Sequence, residues 1–398
     1  MKIAVLTSGI LPVPAVKGGA VENLIDFYLA YNEQHHLHDI TVYSVSDPLT
    51  AGHPTLQSTV NHYHYIEIWS LLSKVRKHVY KLLHGQEYYH YTIEYYLHQA
   101  MKDIARKDYD AIIIENRPAY GLKLSRRTKA KLVYHLHNDF LNNTTPQAHD
   151  ICKAASRIIT VSDFIARRIR TLQPTDGSEF PTIVTVHNGI DLDHFSALVP
   201  SPISRSQLGL DEDDFVVVYS GRMNAEKGIA ELVEALSLLR GQPKIKLLVV
   251  GGSFFGDSHA DNPFTVRLKT VARPLAGRIV FTGFIPYSEV PAYLRLADLA
   301  VIPSQWEEPF GLTCVEAMAM GLPVVATRQG GIPETLHDDY AVLLAADCDF
   351  VESLAETLFD LYRHPEKRRL MGQAAQQASC RFSKQRYAEA FFKAINDI

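Results

Sequence analysis

VVVYSGRMNAEKGIAEL, residues 216–232, reads in order as a buried strand, a turn and the opening of a helix. Val216, Val217, Val218 and Tyr219 leave no polar face, so this strand has to be covered on both sides, as in a parallel sheet flanked by helices. Ser220-Gly221 stops the strand. Beyond Gly228, apolar Ile229, Leu232, Val233 and Leu236 recur with helical spacing. Working outward, apolar runs follow at 245–250, 279–281, 299–302, 324–326 and 342–344, with helical periodicity between them. An earlier series stands at 3–7, 40–45, 111–114, 132–137, 158–161 and 183–186. Two successive series of strands alternating with helices predict an α/β chain built from two doubly wound parallel sheets.

The length of 398 residues suits two domains. Between the two series runs HNGIDLDHFSALVPSPISRSQLG, 187–209, where Asn188-Gly189 marks a turn and the Pro/Ser stretch reads as a linker. The expected boundary is near 195, giving domains 1–195 and 196–398. RFSKQRYAEAFFKAI, 381–395, is read as a closing amphipathic helix.

With 46% hydrophobic and 21% charged residues, the chain should fold compactly without disorder. The net charge of -4 offers no field for nucleic acid. Residues 1–195 carry 20 Lys+Arg against 19 Asp+Glu and residues 196–398 carry 20 against 25, so any anion site in the second half is a local arrangement. Four scattered cysteines without a ligand spacing fit a reducing cytoplasm. The opening MKIAVLTSG is no signal peptide, and no run has the length of a membrane span. The segment IEIWSLLSKVRKHVYKLL, 66–83, sets Trp69 and leucines beside Lys74, Arg76, Lys77 and Lys81, and could lie on an anionic membrane surface or be an ordinary helix with a solvated basic face.

Two constellations carry chemistry. In EPFGLTCVEAMAMGLPVVAT, 308–327, Pro309 and Gly311 break the chain before a helix read at 313–320. The N–H groups near Gly311, Leu312 and Thr313 would be the unpaired donors of that helix, a seat for a diphosphate. Glu308 and Glu316 flank it, and carboxylates beside an anion make sense if each binds hydroxyls. A nucleotide sugar has such hydroxyls on its sugar and on its ribose. In the opening segment, Arg222 and Lys227 bracket the turn at the C-terminal edge of the sheet, a rigid fork and a mobile point charge for phosphate. Taken alone, these are also compatible with a helix cap and a surface pair involving Glu226.

Together these segments resemble the retaining glycosyltransferases of family 4, which have the GT-B fold of two Rossmann-like domains facing a cleft, and the resemblance spans essentially the whole chain. It implies a nucleotide-sugar donor, with UDP favoured, bound by the C-terminal domain. A saccharide or lipid-linked acceptor would bind the N-terminal one, and the last helix, about 383–398, would cross back to the N-terminal domain. Arg222 and Lys227 would bind the donor diphosphate, Glu308 the sugar hydroxyls and Glu316 the ribose. The backbone of Phe310, Gly311 and Leu312 would touch sugar and phosphate. FTGFIP, 281–286, resembles the segment that reads the base, implying Phe284 and Ile285. GGIPE, 330–334, resembles a closing loop, and LVVGGS, 248–253, departs from the commoner GxG turn while still placing Gly251 near the nucleotide.

In LTSGILPVPAVKGGAVENL, 6–24, Gly18 and Gly19 precede a helix and let backbone approach an anion; by resemblance Gly19 contacts donor phosphate. His135 and His137 end the strand in KLVYHLHNDF, 131–140, on one side of the sheet, and by resemblance His137 lies near the reacting sugar. ENRPAYG, 115–121, offers Asn116 and Arg117 to the acceptor. No cofactor or metal is expected, since two cations and a helix N-terminus can carry the leaving-group charge. DLD at 191–193 is read as part of the linker rather than as a metal motif. The rival readings are a catalytically silent structural or surface-coat protein of the same fold and another nucleotide-sugar enzyme such as an epimerase.

Overall fold

The computed structural model describes residues 1–68, 91–175, 179–196, 198, 201–252 and 262–398. Most of the basic segment at 66–83 therefore lies outside the described residues. The chain forms two compact units, Met1–Gly189 with Lys384–Ile398, and Ile190–Ser383.

The first unit contains strands β1 (Lys2–Leu6), β2 (Asp39–Val45), β3 (Asn61–Ile66), β4 (Ala111–Glu115), β5 (Lys131–Leu136), β6 (Arg157–Thr160) and β7 (Thr182–Thr185). They form one parallel sheet in the order β3-β2-β1-β4-β5-β6-β7. Its helices are α1 (Ala20–His35), α2 (Tyr91–Ile104), α3 (Tyr120–Leu124), α4 (Ala148–Ala154) and α5 (Asp163–Arg170). The second unit contains β8 (Phe215–Ser220), β9 (Ile245–Val250), β10 (Ile279–Phe281), β11 (Leu299–Ile302), β12 (Val324–Thr327) and β13 (Ala341–Leu344), parallel in the order β10-β9-β8-β11-β12-β13. Around it lie α6 (Ile229–Leu238), α7 (Pro263–Ala272), α8 (Val290–Leu294), α9 (Leu312–Ala319), α10 (Ile332–Thr335), α11 (Phe350–Arg363) and α12 (Pro365–Ser379). Strand order reverses beside β1 and beside β8, and at such switch points the C-terminal strand ends leave a crevice for ligands.

The passage between units falls at Gly189–Ile190, ahead of the Pro/Ser stretch that suggested 195. Ile190 bridges to Ser383 and its N–H donates to Phe382 O at 2.8 Å, while the Phe195 ring packs 5.4 Å from Tyr287. These contacts commit 190–195 to the second unit.

The last helix, α13 (Lys384–Asn396), belongs to the first unit, where it packs along α1. The Tyr28 and Phe391 rings stack at 4.2 Å, and Phe392 meets Tyr28 edge-on at 6.1 Å. Tyr387, Phe391, Phe392 and Ile395 join the core that Ile3, Val5, Leu24 and Val133 form under the sheet. Among the described residues no helix is long and apolar enough to cross a membrane.

Candidate active site

In the second unit the turn after β8 and the loop after β11 are neighbours because their strands pair. The Asn224 side chain accepts the Lys227 N–H at 3.2 Å and caps a short 3-10 turn, Ala225–Lys227. That turn delivers the Lys227 ammonium to Glu308 Oε1, with the Trp306 ring 5.0 Å from Nζ. The same carboxylate oxygen accepts the Ser304 hydroxyl at 2.7 Å. The Gln305 N–H donates to Glu226 O at 2.8 Å and ties the two loops together. Lys227 therefore pairs with Glu308 and not with the adjacent Glu226. Arg222 stands exposed, its carbonyl accepting the buried Tyr219 hydroxyl at 2.6 Å.

Gly311 enters α9 at φ 96, with no side chain capping the helix and no acid in its first turn. The helix starts at Leu312, one residue earlier than read. The Phe310 ring points into the protein against Phe382, 5.7 Å away, which leaves its backbone on the loop. Glu316 lies buried on α9, and burial pushes its carboxyl up to about 7 against the opposing hydrogen bond from Tyr287. The Tyr287 hydroxyl donates to Glu316 Oε1 at 3.0 Å, and His194 and Phe195 flank the tyrosine ring. Sequence reading missed Tyr287, although it follows FTGFIP directly.

Two glycines fix backbone approaches here. A Cβ on Gly251 would lie 2.1 Å from Gly221 O, so only glycine lets the ends of β8 and β9 come together. Gly251 also bridges to Gly283, setting Phe284 beside Gly252 with Ile285 next in the chain. A Cβ on Gly330 would lie 2.1 Å from Glu308 O, and the Gly331 N–H donates to that oxygen at 2.7 Å. The GGIPE segment is thus laid directly on the Glu308 backbone. Arg222, Lys227, Gly251, Phe284, Ile285, Glu308, Phe310, Gly311, Leu312 and Glu316 all follow strand ends of this one unit.

Gly19, Asn116, Arg117 and His137 belong to the first unit. Gly19 precedes α1 at φ 109, and the Glu22 carboxylate folds back over it. Burial pushes the Glu22 carboxyl up to about 7, opposed by a hydrogen bond from its own backbone. His135 and His137 both turn to Glu115, a residue that sequence reading left without a role. Glu115 Oε2 accepts from His137 Nε2 at 2.9 Å and from His135 Nδ1 at 3.0 Å, and Oε1 accepts the Tyr28 hydroxyl at 3.0 Å. Burial alone would raise the Glu115 carboxyl, but the charge and hydrogen bonds of the two histidines outweigh it and hold it down at about 2. An ionised carboxylate only accepts, so both rings donate to it. His137 is driven down to about 4, first by burial and then by His135, so it is neutral at pH 7 with its proton on Nε2 and a lone pair on Nδ1. Asn116, at φ 56, accepts the His137 backbone N–H at 3.2 Å.

Glu115, His135 and His137 are also a donor set that could hold a metal ion, although His135 Nδ1 and His137 Nε2 are already spent on the Glu115 carboxylate, which leaves His135 Nε2 and His137 Nδ1 without a partner among the described residues. The other such group among the described residues, Asp211, Asp213 and Asp214, surrounds the Lys244 ammonium, which lies 2.8 Å from Asp213.

Comparison with known proteins agrees with this architecture. The family described as Glycosyltransferase Family 4 matches residues 28–194, and the family described as Glycosyl transferases group 1 matches residues 201–378. Spore coat protein SA of Bacillus subtilis (strain 168) is 27% identical over 98% of this chain and 97% of its own. The D-inositol 3-phosphate glycosyltransferase of Arthrobacter sp. (strain FB24) is 32% identical over 64% of this chain and 62% of its own. A crystal structure of Anabaena HepE in complex with UDP and glucose superposes with a TM-score of 0.74 at 23% identity, covering 100% of both chains. With its two parallel α/β sheets and its two matched halves, the chain belongs to the glycosyltransferases of family 4 and has the GT-B fold.

Proposed function

We propose that the protein transfers a sugar from a nucleotide diphosphate sugar, with a UDP-sugar favoured, to a saccharide or lipid-linked acceptor. Transfer retains the anomeric configuration and serves the assembly of surface polysaccharide or another glycoconjugate. The contact between the Lys227 ammonium and the Glu308 carboxylate carries this reading. A phosphate-binding cation beside a hydroxyl-binding carboxylate matches a donor in which diphosphate and sugar hydroxyls are a few bonds apart.

In this reading Arg222, Lys227 and the uncapped α9 N-terminus at Gly311 and Leu312 bind the diphosphate and stabilise the charge that develops as the anomeric bond breaks. That arrangement supplies the electrostatic stabilisation without a metal. Glu308 holds sugar hydroxyls, and Glu316, oriented by Tyr287, accepts from the ribose. Phe284, Ile285 and Gly251 line the base end through backbone, and Phe310 contributes its backbone beside the sugar. From the first unit, Gly19 approaches phosphate and His137 offers Nδ1 to a sugar hydroxyl. Asn116 and Arg117 meet the acceptor. The donor phosphate takes the acceptor's proton on the same face that the leaving group departs. Nucleotide sugars and four free cysteines suit a cytoplasmic setting.

The likeness to spore coat protein SA over nearly the full chain favours one second reading, a silent coat component. Such a protein would be free to lose the donor residues, whereas Arg222, Lys227, Glu308 and Glu316 all stand here. Nucleotide release from UDP-, GDP- and ADP-sugars in EDTA decides between them. Release from one donor that persists in EDTA and collapses in Glu308→Ala and Arg222→Ala is expected. A folded protein that neither binds these donors nor releases nucleotide from them would favour the coat reading, and activity that needs added metal would overturn the leaving-group chemistry.

A further inference from the structure

A cavity of about 580 Å³ opens in the first unit between α2 and α3, within the size range of small-ligand sites. Asn116 and Arg117 line it, and because Asn116 accepts the His137 N–H, the cavity abuts the histidine–Glu115 cluster. Its lining combines two chemistries. Leu97 and Ile151 are buried apolar side chains, and Phe140 stands at the lip, 48% exposed, extending the apolar lining to the mouth. Arg117, Lys123 and Arg126 supply the charge. Glu94 pairs with Lys123 at 2.5 Å, whereas Arg117 and Arg126 pair with no carboxylate among the described residues. The backbone is also committed to this shape. Of the three non-glycine residues with positive φ among those described, two line this cavity, Asn116 at 56° and Gln147 at 57°. Such conformations persist where the surroundings hold them and gather at functional sites.

We infer that this cavity holds the acceptor and that the acceptor is an anionic amphiphile, a phosphate or diphosphate ester on an apolar chain. Arg117 and Arg126 take the phosphate oxygens, and the chain lies over Leu97, Ile151 and Phe140. A neutral oligosaccharide would leave the two guanidinium groups unanswered, and a purely apolar ligand would desolvate them. The inference rests on the transferase reading and narrows its acceptor from any saccharide to a lipid-linked one.

The test is calorimetric titration of geranyl diphosphate into the full chain with UDP present in saturating amount, so that the diphosphate cannot report the donor site. Binding should be lost or weakened about tenfold in Arg126→Gln and in Arg117→Gln, with melting temperatures unchanged. Inorganic diphosphate alone and geraniol alone should each bind far more weakly than the whole molecule. Binding that is unaffected by both substitutions, or that diphosphate alone reproduces, overturns the inference, as does no binding at all. Titrating UDP, GDP and ADP into the wild-type chain separates the two failures. UDP bound without geranyl diphosphate sinks only the acceptor class, while failure to bind UDP, GDP and ADP alike sinks the transferase reading itself.

Discussion

Glu316 keeps its proton to higher pH than a free carboxyl because its buried surroundings resist the charge. Its carboxyl rises from 4.5 in the unfolded chain to about 7 in the fold. The fold therefore loses about 3 kcal/mol of stability as pH climbs through that interval, and the whole of it is absent above 7 and restored below 4.5. Glutamine keeps the acceptor for the Tyr287 hydroxyl and removes the charge. Glu316→Gln should thus gain about 2–3 kcal/mol in denaturant unfolding at pH 8 and little at pH 4.5. Equal effects at the two pH values would show that the buried charge is not what the fold resists. In the proposed role of Glu316 as ribose acceptor the carboxylate accepts more strongly than the neutral acid, so donor KM in the wild type should rise as pH falls below 7, and this slope should vanish in the glutamine variant. Glu308, Glu316, Arg222 and Lys227 were legible in the sequence because each stands within a few residues of a turn whose position glycine and proline announce. Glu115 and Tyr287 were not. Glu115 acquires its meaning from the β4–β5 register, which pairs it with His135, and Tyr287 from the chain path that brings it back to α9. Neither is encoded in local spacing.

Among the elements, α13 illustrates how far a pattern reading reaches. Its amphipathic stripe was legible, but the stripe names no partner. That partner is α1, through the stack of Tyr28 on Phe391, and Tyr28 in turn donates to Glu115. The helix also forms part of the wall behind His135, whose ring lies 5.1 Å from Phe391. Phe391→Ala should cost about 3–5 kcal/mol, the usual range for a fully buried phenylalanine, and should lower the urea midpoint of the first unit while the second unit's transition stays put. A single unshifted transition for both units would mean that α13 contributes little to the core it enters. Strand β3, in contrast, escaped the sequence reading. NHYHYI carries no apolar run, because an edge strand needs only one neighbour and can show polar residues on an open face. Asn61, buried at its start, is held by the Asn32 amide at 2.8 Å, a contact without a periodic signature.

At the scale of the whole molecule, the two units differ in how the chain builds them. The second is a single stretch, Ile190–Ser383, whose ends pair with each other and whose core runs through Val217, Leu232, Leu247, Val301 and Leu354. The first is discontinuous, since α13 must return from the far end of the chain to cover Tyr28 and Leu24. Expressed alone, residues 190–383 should fold with a cooperative melt, whereas residues 1–189 should stay partly unfolded until residues 384–398 are supplied as a peptide or joined to them. Circular dichroism melting of the two fragments tests this asymmetry, and a cooperative melt by 1–189 alone would contradict it. Apart from Gly19, the residues assigned to diphosphate, ribose and base stand in 190–383, so this fragment should also bind UDP within about tenfold of the intact chain's affinity, a difference of about 1.4 kcal/mol. A fragment that folds but binds UDP a hundredfold more weakly would place a substantial part of nucleotide recognition on the first unit, with the Gly19 loop as the first segment to mutate.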